Sequence, residues 1–193
     1  MKALKRYEEK FEKTLDAAKR LFLSEGYQKT SMDRVAVAAK VTKQTVYRYF
    51  PSKVDLLKAV LMRMAPEGRD HSFGDGSVQE ELEAFANGFL TLHMTEERLG
   101  LFKLILTESS HIRELGETFF KIAPSARKKS LSAYFSEKLV TDVPDRDANI
   151  FSAMLLSDRN NILMGVSPVP DADEIAVHCT YVTELFLSGR RTR

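Results

Sequence analysis

Residues 31–53 read SMDRVAVAAKVTKQTVYRYFPSK, and the parsing of that stretch decides the fold. Thr30, just ahead of it, stands at capping-box spacing from Asp33, which predicts a short helix to about residue 39. Lys40-Val41 breaks that helix, Thr42 caps a second one over residues 42–49, and Pro51-Ser52 stops it. Ser52 with Asp55 then opens a longer helix, residues 52–64, apolar through Leu56, Leu57, Val60, Leu61 and Met64. Two short helices across a tight turn, braced by longer ones, have the dimensions of a helix-turn-helix.

In such a unit the start of the second helix enters the major groove, so base-reading side chains belong on its exposed first turns. Lys43, Gln44 and Arg48 are placed for that role. Lysine suits guanine O6/N7 and glutamine can pair with adenine N6/N7. Thr42 and Thr45 are short enough to reach a phosphate or a thymine methyl without lifting the helix out of the groove. Tyr47 and Tyr49 can turn hydroxyls toward phosphates. Thr30 and Arg34, from the first short helix, and Lys53, at the amide-rich start of the longer one, complete the expected DNA-binding set. Val46 and Phe50 read as packing residues.

Outward from this unit, Leu4, Tyr7, Phe11, Ala18, Leu21 and Phe22 recur every three or four positions. They predict an amphipathic helix over residues 5–25 that Gly26 ends. Its other face is basic. Residues 1–65 carry fifteen Lys and Arg against seven Asp and Glu, and residues 66–193 fourteen against twenty, so the net charge is +8 and then −6. A basic first third beside an acidic remainder is the footprint of a nucleic-acid module on a carrier.

The Gly- and Asp-rich segment 66–76 is the natural boundary, giving residues 1–65 as the DNA-binding domain with its linking helix and residues 66–193 as a second domain. Beyond it, helices are expected at residues 77–94, 96–110, 112–138 with a kink at Pro124, 146–165, and from the Asp171/Glu174 cap to Gly189. Arg190, Arg191 and Arg193 read as a frayed tail. No segment alternates as a strand does, so the class is all-α. The 193 residues, 44% of them hydrophobic, suffice for a real core and exclude a disordered tail protein.

The run TLDAAKRLFLSEGYQKTSMDRVAVAAKVTKQTVYRYFPSKVDLLKAVL, residues 14–61, resembles the DNA-binding domain of the TetR family of bacterial transcriptional regulators along its whole length. Ala17-Ala18, Leu21-Phe22, Gly26-Tyr27, Val46-Tyr47, Tyr49-Phe50 and Lys53 carry much of the likeness. Two positions depart from the family's usual glycines: Lys40 in the turn and Gln44 after Lys43. A turn needing φ > 0 would cost Lys40 about 1 kcal/mol against glycine. Gln44 adds a reading group, so family operator preferences do not carry over.

LFKLILTESSHIRELGETFF, residues 101–120, and MLLSDRNNILMG, residues 154–165, look like the AefR-like C-terminal branch. The resemblance implies a ligand-binding and dimerisation domain, with residues 146–165 and 172–188 meeting their mates as a four-helix bundle. His93, Phe102, Leu106, Phe119, Tyr134, Met154, Asp158 and Asn161 are the candidate pocket residues, for an apolar or aromatic effector. Residues at this spacing also serve as plain core, and Asp158-Arg159 can equally pair at a dimer interface.

His71, His93, His111 and His178 form no i,i+4 metal pair and no motif with Cys179 or a serine elbow, so neither catalysis, metal nor cofactor is expected. Cys179 is the only cysteine and reads as a buried structural thiol. The charged opening and the lack of about eighteen uninterrupted apolar residues predict a cytoplasmic protein with no membrane partner. Together these readings predict a ligand-controlled homodimeric repressor on a pseudo-palindromic DNA operator. The competing reading is a helical dimer that binds DNA without sequence preference.

Overall fold

The computed structural model describes residues 2–64, 73–112, 115–117 and 125–192, and they divide into two compact units. Among the described residues there is no strand, only an isolated antiparallel bridge between Leu139 and Thr192.

The first unit begins with α1 (Lys2–Glu25), which buries Leu15, Ala17, Ala18 and Phe22. Gly26, at φ 87°, ends it in a backbone state that costs glycine little. Helix α2 (Met32–Ala39) follows, but its N-cap is Ser31, whose Oγ accepts from the Arg34 amide, and not Thr30. Thr30 is buried, and its hydroxyl donates to Gly26 O at 2.8 Å. The turn residue Lys40 adopts φ 56°, ψ 43°, so the turn does take the left-handed state that costs a lysine more than a glycine. Thr42 caps α3 (Lys43–Tyr49) by accepting from the Thr45 amide, and Ser52 opens α4 (Lys53–Met64) by accepting from the Asp55 amide at 3.1 Å.

Helices α1, α2 and α4 close over Val35, Val46, Phe50, Leu56 and Leu57, all at most 4% exposed. Each such side chain contributes roughly 1.5–3 kcal/mol by leaving water. The same core takes in Leu101, Leu104 and Ile105 of α6 (Glu96–Ser109), together with Leu115. Residues from Gly100 onward in that helix belong to the first unit, which a division of the sequence near residue 66 does not anticipate.

The second unit comprises α5 (Val78–His93), the first residues of α6, α7 (Ser125–Lys138), α8 (Pro144–Leu155), α9 (Arg159–Met164) and α10 (Ala172–Ser188). Both Ser77/Glu80 and Asp171/Glu174 form complete capping boxes. Phe135, Phe151 and Phe186 meet at the centre with ring centroids 4.9–6.1 Å apart.

Two further expectations need correcting. The single helix foreseen at 146–165 is two helices, because the chain turns at residues 156–158 and Asn161 Nδ2 donates to Asp158 Oδ1 at 2.6 Å as the second begins. The basic end is not frayed over residues 190–192. Arg190 Nη2 donates to Asp147 Oδ1 at 2.8 Å, its guanidinium lies 3.7 Å from the Phe186 centroid, and Val140 N donates to Arg191 O. The kink expected at Pro124 and the candidate Phe119 lie outside the described residues.

Candidate nucleic-acid interface

Helix α3 turns Val46 into the core and leaves Lys43, Gln44, Tyr47 and Arg48 exposed. The seven-residue helix owes its start to the Thr42 cap, whose hydroxyl also meets Thr45 Oγ1 at 2.8 Å. Its end is held by aromatic contacts. The Tyr49 hydroxyl donates to Tyr7 O at 3.2 Å, and the Tyr7 and Tyr49 rings meet edge to face at 4.7 Å. Arg48 lies 5.8 Å from the Tyr7 centroid and 5.4 Å from that of Tyr49. The helix is thus fixed against α1 at one end and capped at the other, which aims its exposed face.

The expected DNA-binding residues fall into two sets. Thr42, Lys43, Gln44, Thr45, Tyr47 and Arg48 share the turn and the outer face of α3. Lys43 Nζ lies 2.8 Å from Asp33 Oδ1, and that carboxylate raises the lysine's pKa through a hydrogen bond and its charge. Arg34 donates to Glu25 Oε1 at 2.8 Å and stays half exposed.

Lys53, Thr30 and Tyr49 are turned to other tasks. Lys53 Nζ donates to Tyr27 O at 2.9 Å and Thr30 O at 3.0 Å and sits 4.1 Å from the Tyr27 ring centroid. Burial lowers the pKa of Lys53, opposed by the charge of Glu108. Glu108 is itself 5% exposed and accepts from Gln28 Nε2 at 2.7 Å. The Lys53 ammonium therefore ties the α1–α2 connection to the start of α4. Thr30, buried and bonded to Gly26 O, is likewise structural here.

Sequence reasoning missed Asp33, Glu108 and Gln28. No local signal marks the first as a partner of Lys43, since ten residues and a turn separate them.

The expected pocket residues are not gathered into one cavity among the described residues. Phe102 and Leu106 belong to the first unit, and Leu106 is 55% exposed. His93 is bonded through Nδ1 to Phe89 O at 2.7 Å and stacks on Phe89, while Met154 packs against the second core. Tyr134 is buried against Phe73, its hydroxyl has no hydrogen-bond partner among the described residues, and its pKa is pushed up to about 12, chiefly by burial. Asp158 lines a 290 Å³ cavity with an apolar floor of Leu90, Met94, Leu155 and Ile175. His178 and Glu174, four residues apart on α10, lie on its rim. Asn161 is exposed and bonded to Asp158.

Two family descriptions match the chain: "Bacterial regulatory proteins, tetR family" over residues 15–60 and "AefR-like transcriptional repressor, C-terminal domain" over residues 80–189. The chain belongs to the TetR family of transcriptional regulators. Helices α2 and α3 are thus the helix-turn-helix of a TetR-family regulator, and the family consists of regulators and not enzymes. A TetR-family regulator of Mesorhizobium loti superposes with a TM-score of 0.86 at 25% identity, over 96% of this chain and 98% of that one. The flavonoid-responsive regulator FrrA superposes with a TM-score of 0.78 at 27% identity, over 94% and 97%. The HTH-type transcriptional regulator AlkX of Mycobacterium tuberculosis is 28% identical over 174 residues, 82% of this chain and 75% of its own length.

Proposed function

We propose that this TetR-family protein is a ligand-responsive, sequence-specific repressor that binds a pseudo-palindromic DNA operator as a homodimer. The observation that carries the reading is the capped recognition helix with Lys43, Gln44, Tyr47 and Arg48 exposed along one side and Val46 buried on the other. Lys43, Gln44 and Arg48 offer donors for base edges, and Thr42, Thr45 and Tyr47 offer donors for the flanking phosphates. Residues 1–65 would then form the DNA-binding domain with its linking helix, and residues 66–193 the effector and dimerisation domain.

Dimerisation is supported by α10, which buries Ile175, Cys179, Val182 and Phe186 but leaves Val177, Tyr181 and Leu185 at 71, 62 and 50% exposed. An apolar row at four-residue spacing on the side of the helix away from its own core suits a second copy of the same helix. Two heads are needed for tight specific binding, because a single small module buries little surface.

An apolar or aromatic small molecule is the effector class we infer. The cavity beside Asp158 and His178 supports it, with its apolar floor and few convergent polar groups. Ligand preference for one head spacing would shift the dimer toward or away from the operator-competent state, for which about 1–3 kcal/mol of coupling suffices.

The test is selection of bound fragments from the source genome with purified protein near physiological salt. A recovered motif of two half-sites at fixed spacing supports the proposal; even recovery with no shared motif overturns sequence reading. On that motif, Gln44→Ala should relax preference at one base pair per half-site, losing about 1–3 kcal/mol of discrimination there. Equal losses on operator and random DNA would refute the role of Gln44.

A further inference from the structure

The basic side of α1 borders an open groove of 770 Å³ whose opposite wall is the helix-turn-helix turn, residues 38–41. Arg6, Lys10, Lys13 and Arg20 line it from α1 and Lys40 from the turn, with Lys19 as a sixth cation. Only two carboxylates join them, Glu9 and Asp16. Asp16 is already offset, since Arg63 Nη2 donates to its Oδ1 at 2.6 Å. Arg6, Lys10, Lys13, Arg20 and Lys40 take part in no ion pair among the described residues.

A patch of this kind serves as an ordinary solvated helix face unless its shape and place say otherwise, and here both do. From Arg6 to Arg20 the helix axis advances about 21 Å. One strand of duplex DNA presents about six phosphates over that length. The groove is therefore too long and too open for a single small anion and matches a polymer. Its turn wall ends at Val41, directly before Thr42, the cap of the recognition helix. At its other end, Tyr7 O accepts from the Tyr49 hydroxyl, and the two rings meet edge to face at the end of that same helix. The groove and the reading helix therefore move as one body.

We propose that this groove is a second nucleic-acid site, which holds the phosphates of duplex flanking the half-site read by α3. The proposal rests on the DNA-binding reading above. It assigns the α1 cations a positioning role that carries no sequence information, because phosphates are alike in every sequence. Lys40, where a glycine would relieve the backbone, supplies the cation nearest the recognition helix.

The experiment uses full-length protein and fluorescent duplexes carrying the recovered operator, either trimmed to the two half-sites or extended by about eight base pairs on each side. The wild type should bind the extended duplex about ten-fold more tightly. The Lys10→Gln/Lys13→Gln/Arg20→Gln protein should lose that gain, and its salt dependence, log K against log salt, should fall by about two to three for each protomer engaged. A charge-matched control, Lys103→Gln/Lys129→Gln/Arg191→Gln, should keep both.

A groove variant that retains the flank gain and the wild-type salt slope, with an unchanged melting curve, overturns the proposal. So does a control that loses as much as the groove variant, since the effect would then be net charge alone. If Lys43→Ala/Gln44→Ala binds the operator as tightly as the wild type, the recognition-helix reading fails, and the groove proposal falls with it. That outcome is distinguishable from failure of the groove alone, in which Lys43→Ala/Gln44→Ala weakens operator binding while the groove variant keeps the flank gain and the wild-type salt slope.

Discussion

Lys43 meets a carboxylate before it meets DNA. Asp33 Oδ1 and Oδ2 lie 2.8 and 3.0 Å from its ammonium, and both side chains are about 60% exposed. An exposed pair of this sort contributes little to stability, but DNA must displace it and also suffers the repulsion of Asp33. Asp33→Asn should therefore tighten binding to random duplex by about three- to ten-fold at low salt, with the advantage shrinking as salt rises. Fluorescence anisotropy across a salt series checks it; weaker or unchanged binding would mean that Asp33 orients Lys43 productively. Lys53 stands in contrast, because its ammonium is committed to two carbonyls and a ring. Lys53→Met should lower the stability of the first unit by about 1–3 kcal/mol, since Tyr27 O, Thr30 O and the Glu108 carboxylate lose their cation. Thermal melting measures that loss, while affinity per folded molecule for random duplex should change less than two-fold. A large affinity loss with an unchanged melt would instead assign Lys53 to the DNA contact expected from the sequence.

At the scale of elements, what was legible in the chain is what four neighbouring residues decide. The caps at Thr42, Ser52, Ser77 and Asp171 were readable because donor and acceptor lie within one turn. The exposed face of α3 was readable for the same reason. That the turn at Lys40 takes φ > 0 was legible only through the family's usual glycine there. What escaped depends on partners far away in sequence: Lys53 on the α1–α2 connection, Glu108 on Gln28, and Arg190 on Asp147. The expected pocket residues lie apart from one another among the described residues, since helical spacing cannot distinguish a core from a cavity wall.

The Arg190–Asp147 strap makes a measurable case. Burial pushes the Asp147 carboxyl upward, but hydrogen bonds from Arg190 and Thr141 with the charges of Arg190 and Arg146 outweigh it and hold it below the ordinary carboxylate value. A carboxylate whose folded pKa is depressed stabilises the fold fully above its ordinary value and loses that contribution as pH falls through the folded pKa. The melting temperature should therefore decline below about pH 4, and Asp147→Asn should lack that component of the decline while melting lower at pH 7. Identical acid profiles for the two proteins would show that the strap contributes nothing. Lys40→Gly tests the turn: it should stabilise by about 1 kcal/mol, read from a denaturant midpoint, because glycine occupies φ 56° without steric cost.

The whole molecule acts, on our reading, through its pairing. Val177 and Tyr181 stand in the exposed row of α10, so Val177→Glu/Tyr181→Glu would place four carboxylates at a twofold interface. Sedimentation velocity should show the wild type as a dimer and the variant as a monomer. Operator affinity should fall by at least about a hundred-fold, since each half-site must then be held singly. A variant that stays dimeric would move the interface elsewhere.

One feature of the second unit offers a window on its motions. Cys179 is the only cysteine in the chain, it is fully buried, and burial with the charge of Glu83 pushes its thiol up to about 11. Native protein should then be almost inert to a thiol-reactive dye, whereas any excursion that unpacks α10 from α5 would deliver a fresh thiolate to solvent. The labelling rate becomes a clock for that excursion, counted molecule by molecule without mutation. Candidate effectors could be ranked by how far they slow it, long before their genes or operators are known.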